Sequence, residues 1–304
     1  LAGFLLAAAL VALALDVVAS LALSGRLWST RRAAKALSRA ALLPLLVMAG
    51  LQASPVQAQA SAAEVEAERL ETEFAIAATS ETVLAHVMTG DPALDRMAQE
   101  GLQGLSDVLF FRTSIEPGTP IGVSLESDEI GLFPFLYWPV TPDQPTPSAQ
   151  AYAKLNRYLR AGGMILFDTR DADVAGFGSA SPNGRKLQAL AAALDIPALE
   201  PVPGDHVLTR AFYLLQDFPG RFASRDVWVE AAPPGAEQVE GMPFRNLNDG
   251  VSPVVIGGND WAAAWAVDGT GAALYPVGRG LAGQDQRELA YRFGINVVMH
   301  VLTG

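Results

Sequence analysis

Cysteine is absent from this 304-residue chain. The absence excludes disulfide bonds, thiolate metal ligands and every reaction that needs a cysteine nucleophile. Histidine occurs three times, and charged residues make up 17% of the chain, whereas half of all residues are hydrophobic. The mean hydropathy of +0.24 is high for a water-soluble protein. This composition predicts membrane-embedded stretches in addition to a folded domain.

Charge is unevenly distributed along the chain. Residues 1–60 hold one acid, Asp16, against five basic residues, which gives this segment a net charge of +4; the basic residues are Arg26, Arg31, Arg32, Lys35 and Arg39. Because the whole chain carries −11, residues 61–304 carry −15. An acidic domain repels phosphate backbones, so we expect no nucleic-acid partner.

The first sixty residues have the pattern of a membrane anchor. Residues 1–24 are mostly Leu, Ala and Val, and they are long enough to cross a bilayer as a helix. The basic loop 25–39 that follows marks the cytoplasmic side. Segment 40–60 is either a second transmembrane helix, which we favour, or a signal-like segment with a cleavage site at Ala58-Gln59-Ala60. Both alternatives place the remaining chain outside the cytoplasm.

The remaining chain alternates between strand and helix patterns. Residues 61–80 are rich in alanine and glutamate and predict a linker helix, and residues 81–304 predict one α/β domain. Strands are expected at 82–88, 132–139, 164–167, 227–230 and 254–256, with further extended segments at 263–265 and 272–277. Helices are expected at 93–105, 148–160, 184–194 and 286–302, while residues 108–111 fit a strand or a helix end. This alternation favours a largely parallel sheet covered by helices on both faces.

A loop of acidic residues follows the predicted central strand. It contains Asp168, Asp171 and Asp173, interleaved with Thr169 and Arg170. Clustered acids in such a loop can bind a divalent cation or exchange protons with a substrate. The spacing matches no known metal-binding loop, so the alternative is a solvated loop with an internal ion pair.

Two further loops carry polar residues. His206, preceded by Asp205, is a candidate base, but the chain has no Gly-x-Ser-x-Gly elbow to supply a nucleophile, so the alternative is a structural histidine. Gly257 and Gly258 let the backbone approach a ligand, and Asn259, Asp260 and Trp261 behind them offer polar and stacking contacts. The alternative for this segment is a turn in which Asp260 caps the next helix.

Four stretches together resemble a bacterial domain-of-unknown-function family, number 4159; these are residues 162–168, 206–214, 257–261 and 292–299. The resemblance implies a flavodoxin-like three-layer sandwich similar to class I glutamine amidotransferases. It also implies that the domain is the C-terminal part of an aerotolerance-regulator-like membrane protein. MoxR-type ATPases and von Willebrand A-type proteins are the envelope partners that it implies. Amidotransferase activity is not implied, because those enzymes need a cysteine.

From the residues and the resemblance together we expect a non-catalytic binding or assembly module, anchored in the bacterial inner membrane with a periplasmic domain. We expect no catalytic residue, metal or cofactor. The predicted ligand-binding residues are Asp168, Thr169, Asp171, His206, Asn259, Asp260 and Trp261. The alternative is an envelope hydrolase that uses carboxylates and His206, which requires Asp168, Asp171 and His206 to lie within hydrogen-bonding reach of one another.

Overall fold

The structure is a computed structural model that describes residues 81–173, 181–231 and 252–303. The segments predicted as membrane helix, basic loop, second apolar segment and linker (1–24, 25–39, 40–60 and 61–80) lie outside the described residues. None of the described helices combines the length and the apolar character needed to cross a bilayer.

The described chain forms an α/β sandwich with a seven-stranded sheet. The strands are β1 (Ala85–Val87), β2 (Ile121–Val123), β3 (Phe135–Pro139), β4 (Met164–Asp168), β5 (Leu199–Pro201), β6 (Trp228–Glu230) and β7 (Val254–Gly257). The helices are α1 (Pro92–Arg112), α2 (Ala149–Arg160), α3 (Pro182–Ala191), α4 (Trp261–Trp265) and α5 (Gly280–Thr303). Short 3₁₀ helices cover Ile130–Leu132 and Val207–Thr209.

The strands lie in the order β2-β1-β3-β4-β7-β6-β5. The first five of them run parallel, whereas β6 is antiparallel to β7 and β5 is antiparallel to β6. The predicted central strand is confirmed, because β4 lies between β3 and β7. Asp168 at the end of β4 is in register with Gly257 at the end of β7.

Alternate residues of each strand supply two separate cores. On one face, Tyr137 and Leu166 pack with residues of α1, α4 and α5. On the other face, Trp138 and Phe167 pack with residues of α2 and α3. A sheet that buries both faces needs almost continuous apolar strands, and this explains sequences such as Met164-Ile165-Leu166-Phe167.

Helix ends follow the capping chemistry that the sequence offers. Asp91 accepts hydrogen bonds from the backbone N–H groups of Ala93 and Leu94 at the start of α1, and Ser148 accepts one from Ala151 at the start of α2. The start of α2 therefore agrees with the helix predicted over residues 148–160. α1 runs on to Arg112, so residues 108–111 are the end of a helix rather than a strand.

One local prediction is wrong. Residues 263–265 are expected to be extended, but they lie in α4, and residues 272–277 contribute only a single bridge, between Val267 and Ala273. The short apolar run Ala262-Ala263-Ala264 is buried against α1 on all sides, which removes the periodicity that distinguishes a helix from a strand. Gly104 in α1 allows the close approach of α1 to α4, since a Cβ at this position would lie 2.1 Å from the carbonyl oxygen of Trp265.

Candidate functional site

The loops that follow β4 and β7 lie side by side at the carboxyl edge of the sheet. Thr169 donates its backbone N–H to the carbonyl of Gly257, and Ala172 donates to the carbonyl of Gly258. Gly258 is tightly enclosed, because a Cβ there would lie 2.7 Å from Oδ1 of Asp171. The acid loop and the glycine loop predicted from sequence therefore form one structural unit.

Asp168 is buried at the centre of this unit, and its carboxylate accepts four hydrogen bonds. Oδ2 accepts the hydroxyl of Tyr137 at 2.8 Å and the backbone N–H of Trp261 at 2.8 Å. Oδ1 accepts the backbone N–H groups of Arg170 at 3.0 Å and of Asp260 at 3.1 Å. These four donors occupy the lone pairs of an ionised carboxylate, so Asp168 joins β3, β4 and α4 and has little capacity left for a ligand.

Burial, together with the nearby carboxylate of Asp260, raises the pKa of Asp168 to about 7. The backbone N–H of Trp261 and the hydroxyl of Tyr137 act in the opposite direction, because a hydrogen bond to the ionised form lowers the pKa. Burial also raises the pKa of Tyr137 well above its usual value. Tyr137 is therefore a neutral hydrogen-bond donor to Asp168.

Two residues of the unit adopt the left-handed backbone conformation without being glycine. Arg170 has a φ of 52° and Asp260 has a φ of 55°. A side chain in this conformation costs roughly 1–2 kcal/mol, although Asp tolerates it better than most residues. Such strain persists where surrounding contacts impose it, and here the backbone N–H groups of both residues are held by Asp168.

Asp260 occupies the position before α4, yet its side chain makes no capping hydrogen bond. Oδ2 lies 3.4 Å from Nη1 of Arg221, and Oδ1 is buried without a hydrogen-bond partner among the described residues. Burial raises the pKa of Asp260, whereas Arg170 and Arg221 lower it. The Arg221 side chain is 38% exposed, and its guanidinium lies 5.6 Å from the ring centre of Phe222. Arg221 therefore connects the buried Asp260 to the surface of the domain.

Thr169 and Asp171 serve to hold the loop. The hydroxyl of Thr169 donates to Oδ1 of Asp171, and the hydroxyl of Ser181 donates to Oδ2 of the same carboxylate. Asn183 in α3 donates to the carbonyl of Thr169 at 2.6 Å. All these contacts lie within the domain, and they connect the loop after β4 to the start of α3.

Asn259 and Trp261 are also held by internal contacts. The side-chain amide of Asn259 donates to the carbonyls of Phe218 and Ser224, and its oxygen accepts the backbone N–H of Ser224. The indole N–H of Trp261 donates to the carbonyl of Phe218, and its ring stacks on Phe293 at 4.8 Å. Both side chains are completely buried, so they shape the edge of the domain and offer no surface to a ligand.

His206 lies at the other end of the sheet. Its ring is 5.8 Å from the ring of His300, which accepts the backbone N–H of Ser252 just before β7. A strand rises about 3.3 Å per residue, so Ser252 and Gly258 are separated by about 20 Å. The structure thus brings six of the seven predicted site residues together and places His206 elsewhere.

Two residues of the unit are not apparent from the sequence patterns. The sequence identifies the strand of Tyr137 only as aromatic. Tyr137 could have been recognised as a site residue because a buried tyrosine hydroxyl usually has a hydrogen-bond partner. Arg221 lies between strands in an irregular segment and gives no signal. Over residues 81–173, 181–231 and 252–303, no group of three histidine or acidic side chains is arranged to hold a metal ion.

Comparison with known proteins identifies a single domain family. The family described as "Domain of unknown function (DUF4159)" matches residues 83–302, which include every described strand and helix core. No curated protein shows a significant match to the chain. Because the match covers well over half of the sequence, this chain belongs to the DUF4159 family.

Proposed function

We propose that this chain is a membrane-anchored, outward-facing module that binds an envelope partner and has an amidotransferase-like fold without amidotransferase chemistry. The order β2-β1-β3-β4-β7 of its parallel strands supports the fold part of this proposal, because flavodoxin-like domains have the same strand order. The sequence contains no cysteine, so the nucleophile of class I amidotransferases has no counterpart.

The saturated carboxylate of Asp168 is the observation that carries the proposal. Asp168 follows a central strand, where such folds usually place a reactive group, yet its two oxygens accept four hydrogen bonds from the domain itself. A carboxylate in this state positions its neighbours, because each of its lone pairs already accepts a hydrogen bond from the domain. Its effect is to fix the backbone of Asp260 beside Arg221.

The surface formed by Arg221 and Phe222 above the buried Asp260, which we call the Arg221 face, is suited to a protein partner. Arginine and aromatic side chains dominate the energetically important centres of protein interfaces. Arg221 is partly exposed, and its one contact with a carboxylate of the described residues is the long one, at 3.4 Å, to the buried Asp260. A carboxylate on a partner would therefore find the outer side of this guanidinium accessible.

The charge distribution supports an anchored, periplasmic location. The basic stretch 25–39 follows an apolar segment, whereas residues 61–304 carry a net charge of −15. We propose the bacterial inner membrane as the location, with MoxR-type ATPases or von Willebrand A-type proteins as partners. The hydrolase alternative receives no support from the site, because His206 lies beside His300, which contacts Ser252 before the start of β7, whereas the acid loop lies beside the opposite end of β7.

Co-purification from membranes tests this function. The full-length tagged chain is expressed in a host that also carries tagged MoxR-type and von Willebrand A-type proteins, and their recovery is quantified. We expect Arg221→Glu and Phe222→Ala each to lower recovery of the partner at least tenfold. Arg225→Glu, which alters a neighbouring arginine with 82% side-chain exposure, is the matched control and should leave recovery unchanged. Equal recovery from all variants would reject the Arg221 face.

A further inference from the structure

A cavity lies at the same edge of the sheet, where the strand order reverses. The chain passes from β1 to β2 on one side and then crosses to β3 on the other side of β1. In open α/β sheets, ligands bind preferentially in the crevice at this reversal point, outside the carboxyl ends of the strands. The loops that follow β1, β2 and β3 enclose a cavity of about 250 Å³ there.

The lining of this cavity is largely apolar. Val87 and Leu125 come from the ends of β1 and β2, Trp138 comes from β3, and Pro145 and Pro147 close the loop after β3. Trp138 is buried and its ring lies 5.2 Å from that of Phe167, so this wall is anchored in the core. The described residues that line the cavity include one acid, Glu126, whose carboxylate is hydrogen bonded to Ser148, and no basic residue.

Gln144 contributes a buried polar side chain to this lining. Its side chain is 4% exposed, and neither Nε2 nor Oε1 has a hydrogen-bond partner among the described residues. The indole N–H of Trp138 is likewise buried without a partner within the described ranges. Leaving a buried amide unpaired is unfavourable, and a bound ligand, ion or water is one way in which native proteins satisfy such a group.

We propose that this cavity binds an uncharged amide group carried on a small apolar body. The carboxamide of Gln144 offers donors and an acceptor side by side, which is complementary to another amide. The apolar walls favour a body without charge, and the absence of a cation among the described lining residues disfavours a carboxylate. This site is separate from the Arg221 face, so it does not depend on the proposed partner.

The probe for this site is N-acetyl-L-leucinamide, titrated calorimetrically into the full-length protein. N-acetyl-L-leucine, which replaces the terminal amide by a carboxylate, is the charged comparison and should bind at least tenfold more weakly. The amide group could belong to a polypeptide segment or to a free small molecule. A capped tripeptide, acetyl-Ala-Leu-Ala-amide, distinguishes these two sources. Tighter binding of the tripeptide identifies a polypeptide segment as the occupant, whereas its exclusion identifies a free small molecule.

Gln144→Leu keeps the size of the side chain and removes its amide. We expect at least tenfold weaker binding of N-acetyl-L-leucinamide together with unchanged or higher stability, because the substitution removes a buried unpaired group. Gln150→Leu, at an exposed position of α2, is the matched control and should bind as the wild type does. Thr146→Trp, at the exposed rim, should block binding without altering the core.

Either of two results would overturn this inference. The first is equal binding by wild type, Gln144→Leu and Thr146→Trp, which would place the probe elsewhere. The second is a clear loss of stability in Gln144→Leu relative to Gln150→Leu, which would make the amide a structural group. Retained stability with lost binding is the result that the cavity predicts.

Discussion

The backbone N–H of Trp261 donates to Oδ2 of Asp168 at 2.8 Å, and this bond joins the start of α4 to the end of β4 across 93 positions of sequence. The residue that precedes α4, Asp260, does not cap the helix with its own side chain. Asp168 performs that role from the neighbouring strand, and it also binds the backbone N–H of Asp260. The acid loop and the helix start therefore depend on one buried carboxylate.

Asp168→Asn tests this dependence. At pH 8, above the pKa of about 7, the wild-type residue is ionised and accepts four hydrogen bonds. An amide presents N–H groups to at least one of these donors, which lowers the free energy of unfolding by about 1–3 kcal/mol at pH 5, where the buried residue is protonated. Because the raised pKa makes the buried charge itself unfavourable, we expect this loss to be smaller at pH 8 than at pH 5. Chemical denaturation of the full chain measures this change. The control is Asp173→Asn, an exposed acid of the same loop, and an equal effect of the two substitutions would contradict the role of Asp168.

Asp260→Ala and Asp260→Gly test the backbone strain. Both substitutions remove the same carboxylate, but only glycine adopts a φ of 55° without a Cβ penalty. We expect the alanine variant to be less stable than the glycine variant by about 1 kcal/mol. Thermal and chemical unfolding measure the difference. At Asp173, where φ is not positive, the glycine variant should be no more stable than the alanine variant. If glycine were favoured over alanine to the same extent at both positions, the backbone at Asp260 would not be strained.

Gly104→Ala tests the close contact between α1 and α4. In an exposed helix this substitution gains about 1 kcal/mol, because alanine has the higher helix propensity. Here the new Cβ would lie 2.1 Å from the carbonyl oxygen of Trp265, so we expect a loss of about 1–3 kcal/mol instead. Asp107→Ala, on the exposed side of α1, is the control and should change stability little. A stabilised Gly104→Ala variant would mean that the helices are further apart.

The pair His206 and His300 predicts a pH dependence of stability. Burial, reinforced by His206, lowers the pKa of His300 from 6.5 to about 4, and burial also lowers the pKa of His206. The unfolded chain therefore binds protons more tightly, so stability is complete above pH 6.5 and is lost as the pH falls towards 4. For His300 alone the loss amounts to about 3 kcal/mol.

His300→Gln isolates this contribution. Glutamine retains an acceptor for the backbone N–H of Ser252 and does not titrate in this range. Unfolding experiments between pH 4 and pH 7 should show a smaller decrease on acidification for the variant than for the wild type. Parallel curves for the two proteins would show that His300 is not held in its neutral form.

The sequence predicts the layers of this fold better than the details of its site. Periodicity and glycine stops identify β4 and α2, because a buried strand and a capped helix leave local patterns in the residues. The same patterns place Asp168 and Asn259 after predicted strands, whereas the pairing of β4 with β7, which brings their loops together, is seen only in the structure. They cannot show that Asp168 is saturated, since its four donors come from separate parts of the chain.

Other features depend on contacts that leave no local pattern. α4 contains only five residues, with a tryptophan at each end, and its complete burial hides the helical period. Arg221 reaches Asp260 from an irregular segment, and the distance of His206 from the acids follows from the path of α5 past the start of β7. Gln144 lies in a proline-rich loop, where its burial is evident only once β1, β2 and β3 are assembled.

Site-specific photo-crosslinking measures the central claim most directly. A photoreactive phenylalanine analogue replaces Phe222 on the Arg221 face of the full-length protein in native membranes, and a second sample carries it at Arg160 near the opposite edge of the sheet. The account predicts a covalent adduct with a MoxR-type ATPase or a von Willebrand A-type protein from position 222, with none from position 160. Adducts of equal yield at both positions, or a complete absence of adducts at position 222, would contradict it.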